Sequence, residues 1–155
     1  MPFITLHDTP IGPLTVVADD SAVTSVCFGT KSGSLDAAAT PLLLAAKAEL
    51  LAYFEGTLRN FSVPMQPQGS AFSLRVWEAL CDVPYGECVS YGEIAAKIGS
   101  PKAARAVGMA NHRNPIPIII PCHRVVGASG KLVGYAGGLA IKKTLLRLER
   151  ENSRW

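Results

Sequence analysis

Short apolar runs broken by turn residues occupy the first part of the chain, and apolar residues at helical spacing follow them. Phe3–Leu6, Leu14–Ala18 and Ala22–Phe28 are rich in Val, Ile, Thr and Leu and are separated by Pro10-Ile11-Gly12-Pro13 and Asp19-Asp20-Ser21. Runs of that kind between turn signals predict a small antiparallel sheet. From Pro41 to Phe54 the spacing predicts a helix, with Pro41 suited to its first turn and Gly56 to its left-handed end. This helix is expected to cover one sheet face. Residues 64–70, Pro-Met-Gln-Pro-Gln-Gly-Ser, read as a linker. The expected organisation is an N-terminal α/β domain over residues 1–68 and a second domain over residues 69–155.

Phe72, Val76 and Leu80 recur every four residues and predict a helix that Pro84-Tyr85-Gly86 stops. Two shorter helices are expected over Gly92–Ile98 and Lys102–Ala110, with Ser100 as N-cap and Pro101 as first helical residue of the second. Helix, tight turn, helix fits a helix-turn-helix, and it fits two ordinary core helices equally well. The second helix is nearly without bulk. Ala103, Ala104, Ala106, Gly108 and Ala110 let its backbone approach a DNA groove or another helix, and Arg105 is the one long cation near its start. Pro115, Pro117 and the isoleucines between Asn114 and Val126 suggest buried extended chain, and a last helix is expected from Leu139 to Glu149. The fold class is α+β: a small antiparallel-sheet/helix domain, then a mainly helical, winged-helix-like domain with a helix-turn-helix.

With 155 residues, 48% apolar and only 17% charged, the chain has enough material for a core and is not a disordered polymer. Ile116–Ile120 is far shorter than the about 20 residues a bilayer requires. Met1-Pro2-Phe3 shows no secretory pattern, so no membrane association and a cytoplasmic location with reduced cysteines are expected. The net charge of +3 is unevenly spread. Residues 1–70 hold three Lys/Arg against six acids, and residues 71–155 hold twelve against six, a balance of +6. A polyanionic partner for the C-terminal half follows as one reading; a solvated basic face is the other.

Chemistry concentrates at Cys122-His123, directly after Pro121. The thiolate is the reactive form of cysteine, and an imidazole can take its proton, so the pair suits a nucleophilic site; a buried inert thiol is the equal alternative. Neighbours in a strand face opposite ways, so a water or a kink must connect the two. Glu149 lies between the Leu145 and Leu146 directions of the last helix, on the face expected to turn inward. An inward carboxylate needs a partner, and histidine would serve; a carboxylate fraying into solvent at the end of the helix is the equal alternative. Cys27, Cys81, Cys88 and Cys122 form no CxxC pair, and His7, His112 and His123 form no ligand pattern, so no metal is expected.

The run Pro121-Cys122-His123-Arg124-Val125 resembles the active-site motif of the O6-alkylguanine-DNA alkyltransferases. Val76-Trp77, Pro84-Tyr85-Gly86-Glu87, Ser90-Tyr91, Ala103-Ala104-Arg105-Ala106-Val107-Gly108, Asn114-Pro115, Gly134-Tyr135, Gly137-Gly138 and Leu145–Glu149 are similar to the family in order and spacing. The likeness covers residues 71–150, with a looser match at Thr9-Pro10-Ile11-Gly12-Pro13-Leu14. It implies transfer of a methyl or larger alkyl group from guanine O6 in duplex DNA to Cys122, once per molecule, with no cofactor. O4-alkylthymine is a further candidate substrate.

By the same resemblance His123, through water, with Glu149 behind it, would favour the thiolate, and Asn114 would brace the loop. Tyr91 would rotate the backbone phosphate and help protonate the departing guanine. Arg105 would fill the stack left by the flipped base, with Ala103, Ala104, Ala106 and Gly108 lying in the minor groove. Val125, Tyr135 and Ala136 would contact the base, Ala136 standing where some relatives have serine. Cys88 stands where threonine is frequent, a second thiol near the chemistry. The free chain is expected to be a monomer, and cooperative binding along DNA is left open. A sequence-specific helix-turn-helix regulator, a lesion binder without transfer and a thiol hydrolase are the rivals; the first leaves Cys122-His123 unexplained, and the second lacks the acceptor cysteine.

Overall fold

The β-branched runs near the N-terminus pair with one another in the computed structural model, which describes residues 1–30, 36–132, 134–135 and 137–153. Two units are present, Met1–Gln68 and Gly69–Trp155. In the first, β1 (Pro2–Leu6), β2 (Leu14–Ala18), β3 (Val23–Phe28) and β4 (Asp36–Ala37) form one sheet in the order β3-β2-β1-β4. β4 runs parallel to β1, so the expected antiparallel sheet is mixed at this edge. A two-residue strand is too short to show alternation, which is why the sequence hid it. The Asp19 carboxylate accepts the Ser21 and Ala22 N–H groups at 2.8 Å each, an Asx turn that delays β3 to Val23.

Helix α1 (Pro41–Phe54) has the expected bounds. The Thr40 side chain accepts the Leu43 N–H, Pro41 needs no donor in the first turn, and Gly56 lies at φ +81°. Its inward face, Leu43, Ala46, Leu50 and Tyr53, covers β1, β2 and β3. All five residues of β2 are buried. The predicted linker begins as paired chain: Pro64 C=O accepts from Val23 N–H, and Gln66 N–H donates to Val23 C=O.

The second unit contains α2 (Ala71–Cys81), β5 (Val89–Ser90), α3 (Tyr91–Lys97), α4 (Ala104–His112), β6 (Val125–Val126) and α5 (Leu139–Asn152). Ser70 and Ser90 cap α2 and α3 by accepting the Ser73 and Glu93 N–H groups. The Trp77 indole N–H donates to Ala110 C=O at 2.8 Å, tying α2 to α4 through a buried bond. Helix α4 starts later than expected. Ala103 N–H donates to Ser100 C=O and closes a turn, so Ser100 lies too early to cap, and the helix begins at Ala104 with no side-chain cap. The residues before Cys122 are not extended chain either. Pro115, Pro117 and Pro121 offer no ladder donors, and Asn114 substitutes for a sheet neighbour: its Nδ2 donates to Ile120 C=O and its Oδ1 accepts the Ile116 N–H. Ile118 sits at φ +76°, a costly conformation for a β-branched residue. No described helix is long and apolar enough to cross a membrane.

Candidate active site

A two-residue parallel ladder, Val89 with Val125 and Ser90 with Val126, places the segment after Cys122 beside the start of α3. Cys122, His123 and Arg124 themselves form a 3₁₀ turn rather than a strand, which supplies the kink that adjacent strand residues would lack. Cys122 is 4% exposed. Its N–H donates to Ile120 C=O, and its C=O accepts from Asn111 Nδ2 and the Val125 N–H. The thiol lies on a cavity of about 90 Å³ whose wall includes Tyr91, Asn114, Pro117, Gly134 and Tyr135. Burial pushes the Cys122 thiol up, while hydrogen bonds with Asn114 and Tyr135 and the charge of Lys142 oppose that. Desolvation outweighs these polar contacts and favours the thiol over the thiolate.

His123 is fully buried, and its Nε2 is 2.6 Å from Glu149 Oε2. Burial lowers the histidine, with Glu149 opposing; Glu149 is held well below the usual carboxylate range against its own burial by His123 and Arg124. An ionised carboxylate can only accept, so the Nε2 proton donates to Glu149 and the neutral ring carries its lone pair on Nδ1. Both groups bind fewer protons folded than unfolded. Their contribution is present above the unfolded pKa values, about 6.5 for His and 4.3 for Glu, and is lost as pH falls. The urea midpoint is expected to drop from about pH 7 to about pH 5 and further below it; a midpoint flat over that interval would contradict a buried neutral histidine.

Two site residues escaped the sequence reading. Arg124 donates to Glu149 through Nε at 2.8 Å and Nη2 at 3.1 Å, and Lys142, fully buried on α5, donates to Val125 C=O at 2.7 Å. A signal for Lys142 existed: it shares the inward stripe of α5 with Leu145, Leu146 and Glu149. The lysine meets one of the residues that the resemblance places at the base. Val125 has its N–H and C=O engaged within the fold and, among the described residues, is not part of the cavity wall, whereas Tyr135 is. Ala136 lies outside the described residues. Cys88 is exposed, yet it feels Glu149, Arg150, Lys142 and Arg124, so a second thiol sits near the charged cluster around Glu149.

A wider cleft of about 480 Å³ runs along α4, lined by Ala104, Arg105, Met109 and Arg113. It shares Tyr91, Gly108 and His112 with the thiol cavity. A Cβ added to Gly108 would lie 3.8 Å from the Tyr91 ring, so α4 and Tyr91 meet closely there. Arg105 is exposed, as a residue reaching outward must be. Ala103 precedes α4 and Ala106 is exposed on it; neither lines the cleft.

Residues 71–151 match the 6-O-methylguanine DNA methyltransferase DNA binding domain, and residues 3–67 match its ribonuclease-like domain. The chain belongs to the 6-O-methylguanine DNA methyltransferase family. The enzyme class of this family member is that of its curated relatives, methylated-DNA–protein-cysteine methyltransferase. The relative from Methanosarcina acetivorans is 46% identical over 152 residues, covering 95% of this chain and 97% of that one. The Mycolicibacterium paratuberculosis protein is 50% identical over 153 residues, covering 94% and 91%. Among solved structures, Mycobacterium tuberculosis OGT in complex with DNA aligns with TM-score 0.90 and 47% identity, over 98% of this chain and 94% of that one.

Proposed function

We propose that this methyltransferase repairs O6-alkylguanine in duplex DNA by a single irreversible transfer to Cys122, after the base is flipped out through the minor groove. The observation that carries the reading is a buried thiol in a cavity that shares a wall with the cleft along α4. In this reading α3 and α4 are the helix-turn-helix of a DNA-binding and alkyl-transfer domain over residues 69–155. The solved M. tuberculosis relative is described as a DNA complex, which supports DNA as the partner. Ala104 and Gly108 keep α4 slim against the groove, and Arg105 takes the place of the extruded nucleotide.

The step balances without a cofactor. Cys122 loses its proton to His123 Nδ1 by way of a water, and the sulfur forms a bond to the alkyl carbon. The C–O6 bond breaks, its electron pair stays on the base, and guanine takes up a proton with help from Tyr91. The thioether has no easy chemical exit, so one molecule acts once. With labelled O6-methylguanine duplex in excess, repaired DNA should level off at one equivalent per protein; continued release beyond that would make the protein a turnover enzyme.

Arg105→Ala should slow repair of duplex by roughly tenfold or more relative to transfer from the free modified base, because unstacking costs about a few kcal/mol in the duplex alone. Arg105→Lys should rescue poorly, since an ammonium does not stack as a planar guanidinium does. Equal losses on both substrates would place Arg105 outside base extrusion.

A further inference from the structure

At least four donors converge on the Glu149 carboxylate, more than a histidine-orienting group requires. His123 Nε2 and Arg124 Nη2 reach Oε2, and Arg124 Nε and the Gly86 N–H reach Oε1, the last at 3.2 Å. Arg124 is fixed independently: its Nη1 donates to Val83 C=O at 2.7 Å, and its guanidinium carbon lies 5.6 Å from the centroid of the Tyr85 ring. Gly86 lies at φ +80°, and a Cβ there would stand 2.8 Å from the Ser153 Cβ, so the turn after Pro84 can approach α5 only as glycine. All three side chains of the cluster are buried, with His123 at 0%, Glu149 at 1% and Arg124 at 6% exposure.

We propose that Arg124 is a positioning residue for the transfer: by matching the charge of Glu149 it keeps His123 a neutral base whose Nδ1 can receive the thiol proton. The inference rests on the function proposed above. A carboxylate within hydrogen-bond reach favours the charged form of the imidazole, against the burial that disfavours it, and an added cation shifts that balance toward the neutral ring. An imidazolium cannot accept a proton from Cys122. The fork from Arg124 turns that pair into a balanced set, one anion and one cation with the ring neutral between them.

Of the other groups around this cluster, Lys142 acts on His123 in the same direction as Arg124. Lys142 faces His123 from α5 and adds a second cation, Cys122 adjoins it on the turn, and Cys88, before β5, faces Glu149, Lys142 and Arg124. Burial weighs most heavily in lowering the histidine, Glu149 opposes it, and Arg124 and Lys142 reinforce it.

Arg124→Met is expected to remove the guanidinium fork from Glu149 while the His123 and Gly86 donors stay in place. Methyl transfer from O6-methylguanine duplex should then fall at neutral pH, roughly tenfold for each pH unit that the acidic limb of the rate profile moves upward, and recover in alkali. Nitrogen NMR of the ring should show protonated Nδ1 near neutral pH in the variant and the neutral Nε2–H form in the wild type. Arg124→Lys, which restores charge without the fork, should return the limb most of the way. An unmoved limb in Arg124→Met, with transfer reduced only in proportion to the folded fraction, would overturn the proposal. Should that variant not fold, the wild-type titration decides: an imidazolium at neutral pH overturns the proposal, and a neutral ring to well below about pH 6.5 supports it. Wild type that shows the neutral ring but transfers no methyl group would overturn the proposed function instead.

Discussion

Cys122→Ser should reduce methyl transfer to below detection while lesion duplex remains bound. The thiol lies on the smaller cavity with Asn114 and Tyr135, and among the described residues it does not line the cleft along α4 that the proposed function gives to DNA. A serine hydroxyl fits the same space, but it ionises far less readily than a thiol and is a poor nucleophile without a stronger base. The three other cysteines do not substitute. Cys81 and Cys88 are exposed, and Cys27 belongs to β3 of the first unit. Binding would be read by gel shift and transfer by label on protein; methyl on Cys27, Cys81 or Cys88 in the variant would contradict the assignment.

Glu149→Gln is expected to cost roughly 3–5 kcal/mol of stability, the usual penalty for removing one partner of a buried ion pair. Arg124 would keep its charge and its bond to Val83 with no carboxylate to meet the rest of the fork. The substitution also removes the acceptor that holds the His123 tautomer, so transfer should fall at neutral pH and partly recover in alkali, where hydroxide ionises the thiol. Urea unfolding of the whole chain measures the first effect. A loss under about 1 kcal/mol would mean that the carboxylate is solvated like a surface ion pair. The kinetics should be read at a urea-free condition where the variant is shown to be folded.

Local signals were legible where local physics decides. Pro41, Gly56 and the apolar spacing between them mark α1, and the stripe of Leu145, Leu146 and Glu149 turns the carboxylate inward as read. The start of α4 was not legible, because Ser100 and Pro101 fit a helix start by composition but are used in a turn. The course of residues 114–121 was hidden for a related reason: proline and isoleucine speak for extended chain, while the path depends on Asn114 bonding across the turn. In the sequence Arg124 is a motif letter without a role, and Lys142 is one charge in the +6 balance of the C-terminal half. Both are buried and engaged, so that balance overstates the charge available to a polyanion. Buried cations escape sequence reading because their partners are distant along the chain; Arg124 and Glu149 meet only once α5 packs on the turn.

Transfer of one alkyl group to one cysteine is measured most directly by the intact mass of the protein after incubation with a duplex carrying a single O6-methylguanine. The account predicts a gain of one CH₂ per chain, a methyl replacing the thiol hydrogen, located on Cys122 by peptide mapping and matched by guanine restored in the DNA. Unchanged protein mass with the lesion intact, or a lesion repaired while the protein mass stays unchanged, would contradict it.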